Sequence, residues 1–425
     1  MKLLVVGGGG REHAICAALR RENPDAEIFC APGNPGTESF VTNLPIAADD
    51  IEALVRAAAQ HDIDLTIVGP EQPLALGLAD RLQADGRRVF GPTAAAAQIE
   101  ASKAFAKDVM AAAWVPTAAS RTFQAVADAL AYVATHAEPL VVKASGLAAG
   151  KGAVVCATRS EAADAVRAMF SGSLGEAGHE VLVESFLEGE ELSVFAICNG
   201  HDVALLPSAQ DHKRIFEGDN GPNTGGMGAY SPVSLATAAL LGRATREVLL
   251  PTLAEMERRG AAFRGILYAG LMIAPDGSLS VVEFNCRLGD PETQVVLPLV
   301  SDGFTAACWA AAEGAALPDV SVARDSAVTT VLAAHGYPDT PKKGAAITIP
   351  DDLDSRVTVY HAGTRRDADG TLQVNGGRVL AVTAMAPTFS EAQRLSREAA
   401  EQISFEGKQF RRDIGWREAA RLDGV

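Results

Sequence analysis

The sequence predicts a multidomain protein of mixed α/β and α+β class, and three observations carry that reading. The 425 residues exceed what one hydrophobic core usually serves. The first hundred residues alternate short apolar runs with helical stretches, the pattern of a parallel sheet with crossover helices. The last hundred carry short β runs around a single helical stretch, which suggests a separate β-rich lobe.

The N-terminal elements follow in order. The strand Lys2–Val6 ends at Gly7–Gly10, and a helix opens near Arg11. A second strand, Glu27–Cys30, precedes the turn-rich Ala31–Thr37. Helical Ile51–Gln60 leads to the strand Leu65–Val68 and then Gly69-Pro70-Glu71. The short strand Val89–Phe90 ends at Gly91-Pro92-Thr93. In parallel sheets ligands gather at the carboxyl ends of strands, and the glycine clusters stand at those ends. Each cluster alone reads equally well as an ordinary tight turn. Four together favour a small-molecule cleft.

A helix is expected from about Ala95 to Ala113, stopping before Trp114-Val115-Pro116. Beyond it lies a small α+β lobe to about Leu187, with strands Pro139–Lys143, Ala153–Cys156 and Glu180–Val183 and the helix Glu161–Phe170. The polar stretch Asp211–Gly228 is long for a loop, and long loops are usually functional or disordered. Gly265–Ile273 and Leu279–Asn285 flank Pro275–Ser278, a hairpin signal. A helix is expected over Asp290–Val300. The remaining runs Val328–Ala333, Ala346–Ile349, Thr358–Ala362 and Arg378–Ala384 read as strands, and Ser390–Ile403 as a helix.

Composition narrows the class. A formal net charge of -16 gives no general attraction for nucleic acid or anionic lipid, so a phosphate ligand needs local cations and backbone N–H groups. Six scattered cysteines without a C-x-x-C pair argue against a zinc cluster or a disulfide framework. No apolar run approaches the roughly 20 residues of a membrane span. The expectation is a cytoplasmic protein with small-molecule ligands.

The glycine turns suggest chemistry. Gly8, Gly9 and Gly10 follow a strand and open a helix, where backbone can approach a phosphate and the helix N-terminus adds partial positive charge. No acid follows the second strand to hold an adenosine ribose, so a sugar phosphate fits better than a dinucleotide. Arg11 adds a charge-assisted contact or is simply a solvated helix-start arginine. The run Lys143–Gly152 fails the P-loop spacing, since three residues separate Gly146 from Gly150 and Gly152 follows Lys151. What remains is a glycine loop with lysines at both ends, suited to closing over a triphosphate. The acidic turn Val183–Ser193 can offer backbone bonds to an adenine edge and a carboxylate to ribose, although acidic turns are commonly just solvated. Glu283 and Asn285, two apart in a strand, project to one side and suit a divalent cation bridging phosphates. Arg287 follows as a planar carboxylate binder.

These segments resemble the phosphoribosylamine–glycine ligases (glycinamide ribonucleotide synthetases) along nearly the whole chain. The matching strings are Gly9–Ala14, Val68–Glu71, Lys143–Gly152, Asp211–Arg214, Gly221–Tyr230 and Glu283–Glu292. Leu288 stands where the family pattern has Phe, which keeps an apolar side chain. The resemblance implies a Rossmann-like N-terminal domain over 1–102 and an ATP-grasp domain over 103–320 with its lid lobe at about 116–187. A small α+β C-terminal domain over 321–425 completes it. It implies ATP-dependent ligation of glycine to 5-phosphoribosylamine through glycyl phosphate, with Mg²⁺ or Mn²⁺, in a monomer or weak homo-oligomer. ATP would meet Lys103, Lys143, Gly150, Lys151, Glu184, Leu187 and Glu191, and the metal Glu283 and Asn285. Substrate would meet Gly8, Gly9, Gly10, Arg11, Glu71, Asp211, Arg287 and Asp290, with Arg287, Lys143 and Asp290 catalytic. Another ATP-grasp carboxylate–amine ligase and a non-catalytic nucleotide-binding protein are the alternatives.

Overall fold

A computed structural model describes residues 1–148, 152–172 and 174–424. The N-terminal alternation folds into a five-stranded sheet in which every pairing is parallel. Its order is Thr42–Asn43, Glu27–Pro32, Lys2–Gly7, Leu65–Val68, Val89–Phe90. Strands buried on both faces need apolar runs, and Leu3–Val6 are all at or below 1% exposure. The chain starts in the middle of the sheet and builds outward to each side. The order therefore reverses between Lys2–Gly7 and Leu65–Val68, a crevice where ligands settle. Gly7–Gly10 and Gly69–Glu71 meet there.

One expected helix is two, Ala94–Ala101 and Lys103–Ala112. Ser102 lies between them with extended backbone, and its hydroxyl accepts the Phe105 N–H at 3.1 Å. Serine competes for backbone hydrogen bonds and so favours a cap over a helix interior. The break frees the Lys103 N–H to bond the Ser145 carbonyl at 2.9 Å. The second helix is thereby seated on the glycine loop of the next lobe.

That lobe is an antiparallel sheet ordered Ser120–Phe123, Val181–Ser185, Leu140–Ala144, Ala153–Cys156. Helices Val126–Thr135 and Arg159–Phe170 cover it, with a core of their own around Val142, Val166 and Val183. A second antiparallel sheet runs Val203–Leu205, Glu190–Asn199, Arg264–Ile273, Leu279–Asn285. The expected hairpin is its last pair, with a bulge between Gly270 and Leu271. The helix expected over Asp290–Val300 is shorter, Thr293–Leu299, because helical backbone is disfavoured at Asp290, the residue before Pro291.

The long polar stretch is ordered. Arg214–Phe216 and Asn220–Asn223 pair as a small ribbon. Gln210–Asp211 and Gly228–Ser231 enter a third sheet beside Ser326–Ala333, Arg378–Ala386 and Val357–His361. This sheet joins strands about a hundred residues apart, with Gly228 opposite Thr330. Ala346–Ile349 is not a strand; it makes isolated bridges from Ala346 to Gln373 and Thr348 to Ser404. Among the described residues no helix is long and apolar enough to cross a membrane.

Candidate active site

A cavity of about 530 Å³ opens where the lobe sheet, the hairpin Arg264–Asn285, the parallel sheet and Arg378 converge. An apolar stretch of its wall includes Val155, Phe186, Leu187 and Met272. Lys103, Lys143, Lys213, Glu283 and Asn285 also face the cavity, as do Arg11, Glu71, Glu100, Arg287 and Asp290. The strand, the bulge and the turn that follow one another in sequence thus deliver Glu283, Asn285 and Arg287 to one wall.

The lysine region rests on a buried triad. Lys143 Nζ lies 2.9 Å from Glu184 Oε2 and donates to the Val282 carbonyl at 3.0 Å. Lys107 Nζ lies 3.1 Å from Glu184 Oε1. Glu184 is 4% exposed; it orients two lysines and also lines the cavity. Burial pushes Lys107 down, against the attraction of Glu184. Burial raises the Glu283 carboxyl, yet Lys103, Lys143, Lys213 and Arg287 together hold it below its ordinary range. The four cations gathered around Glu283 suit an anionic ligand such as a polyphosphate at that end of the cavity.

Arg287 is clamped between carboxylates. Its Nε donates to Glu71 Oε2 at 3.1 Å and one terminal nitrogen to Glu100 Oε1 at 2.6 Å. A third N–H reaches the Leu288 carbonyl at 3.3 Å. A guanidinium has five N–H donors, so two remain for a ligand. Burial raises Glu71, but Arg287 and Arg11 override it and hold the carboxyl at about 2. Glu100, buried deeper and beside Glu71, is raised. Asp290 is held low by Arg378 and Arg11 against burial, and its Oδ2 takes an Arg378 N–H at 2.9 Å.

Asp211 is pushed up to about 7 by burial and by the nearby Glu292 and Glu191, which outweigh Lys213. Tyr268 donates to Glu292 Oε1 at 2.8 Å and sits 2.8 Å from the Ser193 hydroxyl. Gly8, Gly9 and Gly10 are not among the residues that line this cavity, although their neighbour Arg11 is. Glu12 fills the space between the two glycine turns: its Oε2 accepts the Gly9 N–H at 2.6 Å and its Oε1 accepts from Arg11 at the same distance. A side chain on Gly69 would meet Glu12 Oε1 at 2.1 Å, so only glycine fits there. Gly7, at φ +124, is required both by backbone and by the same carboxylate. Gly150 and Lys151 lie outside the described residues.

The donor set fits a hard divalent cation in part. Glu283 and Asn285 offer a carboxylate and an amide oxygen, and among the described residues no cluster of three His, Cys, Asp or Glu exists. Two protein oxygens leave most of an octahedral shell to water and phosphate, the usual arrangement for magnesium with nucleotides.

Sequence reasoning left several cavity residues unassigned. Lys213 lies inside a string it quoted, and Glu292 follows Asp290 by two, but neither was given a role. Glu100 and Tyr268 carry no local signature, nor does Lys107, which reaches Glu184 without lining the cavity. Arg378 begins a strand in the last quarter of the chain, and nothing in its neighbours marks it.

A two-lobed nucleotide cleft with lysines on one lobe and a carboxylate–amide pair on the other defines the ATP-grasp class of ligases. Three family descriptions match along the chain: phosphoribosylglycinamide synthetase N domain at residues 1–100, ATP-grasp (A) domain at 101–293 and C domain at 327–417. The chain belongs to the phosphoribosylglycinamide synthetase family. The phosphoribosylamine–glycine ligase of Ralstonia nicotianae is 47% identical over 426 residues, covering 99% of this chain and 100% of that one. That of Chlorobaculum tepidum is 48% identical over 423 residues, covering 98% and 99%. The crystal structure of the Thermotoga maritima ligase superposes with a TM-score of 0.87 at 35% identity, covering 97% of this chain and all of that one. A biotin carboxylase domain from Hydrogenobacter thermophilus shares the fold at 16% identity and a TM-score of 0.74, over 96% of this chain and 91% of that one. The chain is an ATP-dependent carbon–nitrogen ligase, and ATP with a divalent metal is the requirement of its class.

Proposed function

We propose that the cleft ligates glycine to 5-phosphoribosylamine at the expense of ATP, giving glycinamide ribonucleotide, ADP and phosphate in purine synthesis. The observation that carries the reading is the placement of Arg287, with two free N–H donors, in one cavity with Lys103, Lys143 and Glu283. A carboxylate held by Arg287 stands beside a triphosphate held by the lysines.

Adenine lies against Val155, Phe186 and Leu187, and its ribose reaches Glu191. Lys103 and Lys143 hold the phosphates, and Gly150 and Lys151 are further contacts of ATP in this reading. A divalent cation, magnesium or manganese, would be held by Glu283 and Asn285 and would neutralise charge between phosphate oxygens. Arg287 orients glycine so that a carboxylate oxygen attacks the γ-phosphorus, and positioning with charge stabilisation supplies the catalysis. The product is glycyl phosphate, whose carbonyl carbon the phosphoribosylamine nitrogen then attacks, releasing phosphate. Asp211 and Glu71 face the amino groups of the substrates, and Asp290 with Arg11 the sugar phosphate near Gly8–Gly10. Closure of the lobe at about 116–187 on the rest of 103–320 keeps water from the acyl phosphate. Residues 1–102 present the sugar phosphate, and 321–425 close the cleft with Arg378. The enzyme acts in the cytoplasm as a monomer or weak homo-oligomer, with no part for nucleic acid or membrane.

The test is phosphate release from ATP with each substrate omitted in turn. Release should require both glycine and phosphoribosylamine. Serine or bicarbonate replacing glycine at equal efficiency would overturn the assignment.

A further inference from the structure

We infer that Lys213 handles the transferring phosphoryl group and is released for that work when the nucleotide ribose displaces it from Glu191. The inference rests on the reading above, in which Glu191 meets the ribose.

The cleft holds two lysine–glutamate pairs of opposite character. Lys143 and Glu184 are 6% and 4% exposed, so parting them would strand a buried charge. Lys213 and Glu191 form an ion pair whose side chains are 36% and 41% exposed. A pair this open can be parted without stranding a charge in a closed interior. Both residues line the cavity.

Their backbones, by contrast, are pinned. The Lys213 carbonyl accepts the Thr224 N–H at 2.7 Å and the Thr224 hydroxyl at 2.8 Å. The Glu191 carbonyl accepts from the Gln210 side chain at 2.7 Å. Neighbouring His212 bonds Gly228 and Met227 at 2.9 and 2.8 Å. The string 221–230 thus fixes where Lys213 stands while leaving its ammonium free to move. The anions that act on that ammonium are Glu191, Asp211 and Glu283. Once ribose hydroxyls occupy the Glu191 oxygens, the pull that remains comes from Asp211, Glu283 and the phosphates bound beside them.

In the transfer a glycine carboxylate oxygen bonds to the γ-phosphorus. The bond from that phosphorus to the β–γ bridging oxygen breaks, and its electron pair leaves on ADP. Lys213 stays protonated and donates N–H bonds to the phosphoryl oxygens as charge redistributes. Ribose recognition thereby governs the rate of transfer as well as affinity.

Single-turnover ADP formation at saturating nucleotide, with glycine, phosphoribosylamine and magnesium, separates these effects. Wild-type protein should react about tenfold more slowly with 2′,3′-dideoxy-ATP than with ATP, even at saturation. Lys213→Met should slow both nucleotides on the order of 100-fold, with their ratio near one. In Glu191→Gln, which holds no ammonium by charge, the dideoxy penalty on the rate should fall to about twofold or less. The wild-type comparison needs no variant, so it stands even where a variant folds poorly. A dideoxy penalty confined to KM, or one unchanged in Glu191→Gln, overturns the coupling. Absence of glycine-dependent ADP formation from ATP in wild-type protein would instead overturn the reading it rests on.

Discussion

At Glu283 and Glu71, two carboxylates drawn into one cavity stay ionised because of the cations set beside each, Lys103, Lys143, Lys213 and Arg287 at the first and Arg287 and Arg11 at the second. Removing the charge at Glu283 while keeping its shape is the sharpest probe of the metal. Glu283→Gln should raise the magnesium needed for half-maximal turnover and cut kcat on the order of 100-fold, with the circular dichroism spectrum unchanged. Equal turnover at limiting magnesium would remove Glu283 from the metal site. Gly9 tests the other substrate. Its added side chain would lie 3.0 Å from Glu12 Oε2 and 3.9 Å from Asp290 Oδ2, so Gly9→Val pushes on the acid that ties the turn. We expect a larger rise in KM for phosphoribosylamine than for ATP, and the reverse for Lys143→Ala. Steady-state kinetics with each substrate varied gives the answer, and damage confined to ATP in Gly9→Val would reverse our placement of the two sites. The residues legible from sequence were those in dense local patterns, as in Glu283–Glu292. Glu100 and Arg378 were not, because their partners lie 187 and 88 residues away.

Elements were legible where their signal was local. Lys2–Gly7 and Leu65–Val68 read as strands because burial on both faces demands unbroken apolar runs. The hairpin ending at Asn285 read correctly because turn residues sit between two apolar runs. The continuous helix over residues 95–113 did not survive, since alanine-rich periodicity runs through a serine whose capping role shows only in three dimensions. That capping role can be tested. Ser102→Ala removes the acceptor of the Phe105 N–H and should cost about 1 kcal/mol in urea unfolding. It should also raise KM for ATP, because the cap fixes where Lys103 begins its helix. Stability lost without a change in KM would separate the cap from nucleotide binding.

Across the whole molecule, the N-terminal helix Gly10–Glu22 meets the strand Val357–His361 through two histidines. His13 accepts the His361 N–H at its Nδ1 at 2.9 Å and sets its ring edge to Tyr360 at 5.3 Å between centroids. Burial, with His361 alongside, lowers His13 to about 3, and burial lowers His361 to about 4. Unfolded chain therefore takes up protons that folded protein refuses. The stability these rings contribute is complete above about pH 6.5 and is lost as pH falls through the range down to 4 and 3. Urea unfolding should show roughly 2 kcal/mol lost to His13 between pH 7 and 5, and His13→Gln should flatten that slope. An unchanged slope would place the acid sensitivity elsewhere. The sharing of one sheet between Gly228–Ser231 and Ser326–Ala333 also sets a schedule. A ribosome that has made only the first three hundred residues has already supplied every lysine of the cleft, and Arg287 with them. The strand Gly228–Ser231, which ends the polar stretch 211–228, still has a bare edge, which is a template for pairing with a foreign chain. Arg378 arrives later again. The lysine walls of the cleft are thus complete in the chain before Arg378 joins them, and an interrupted synthesis leaves the edge of Gly228–Ser231 unpaired.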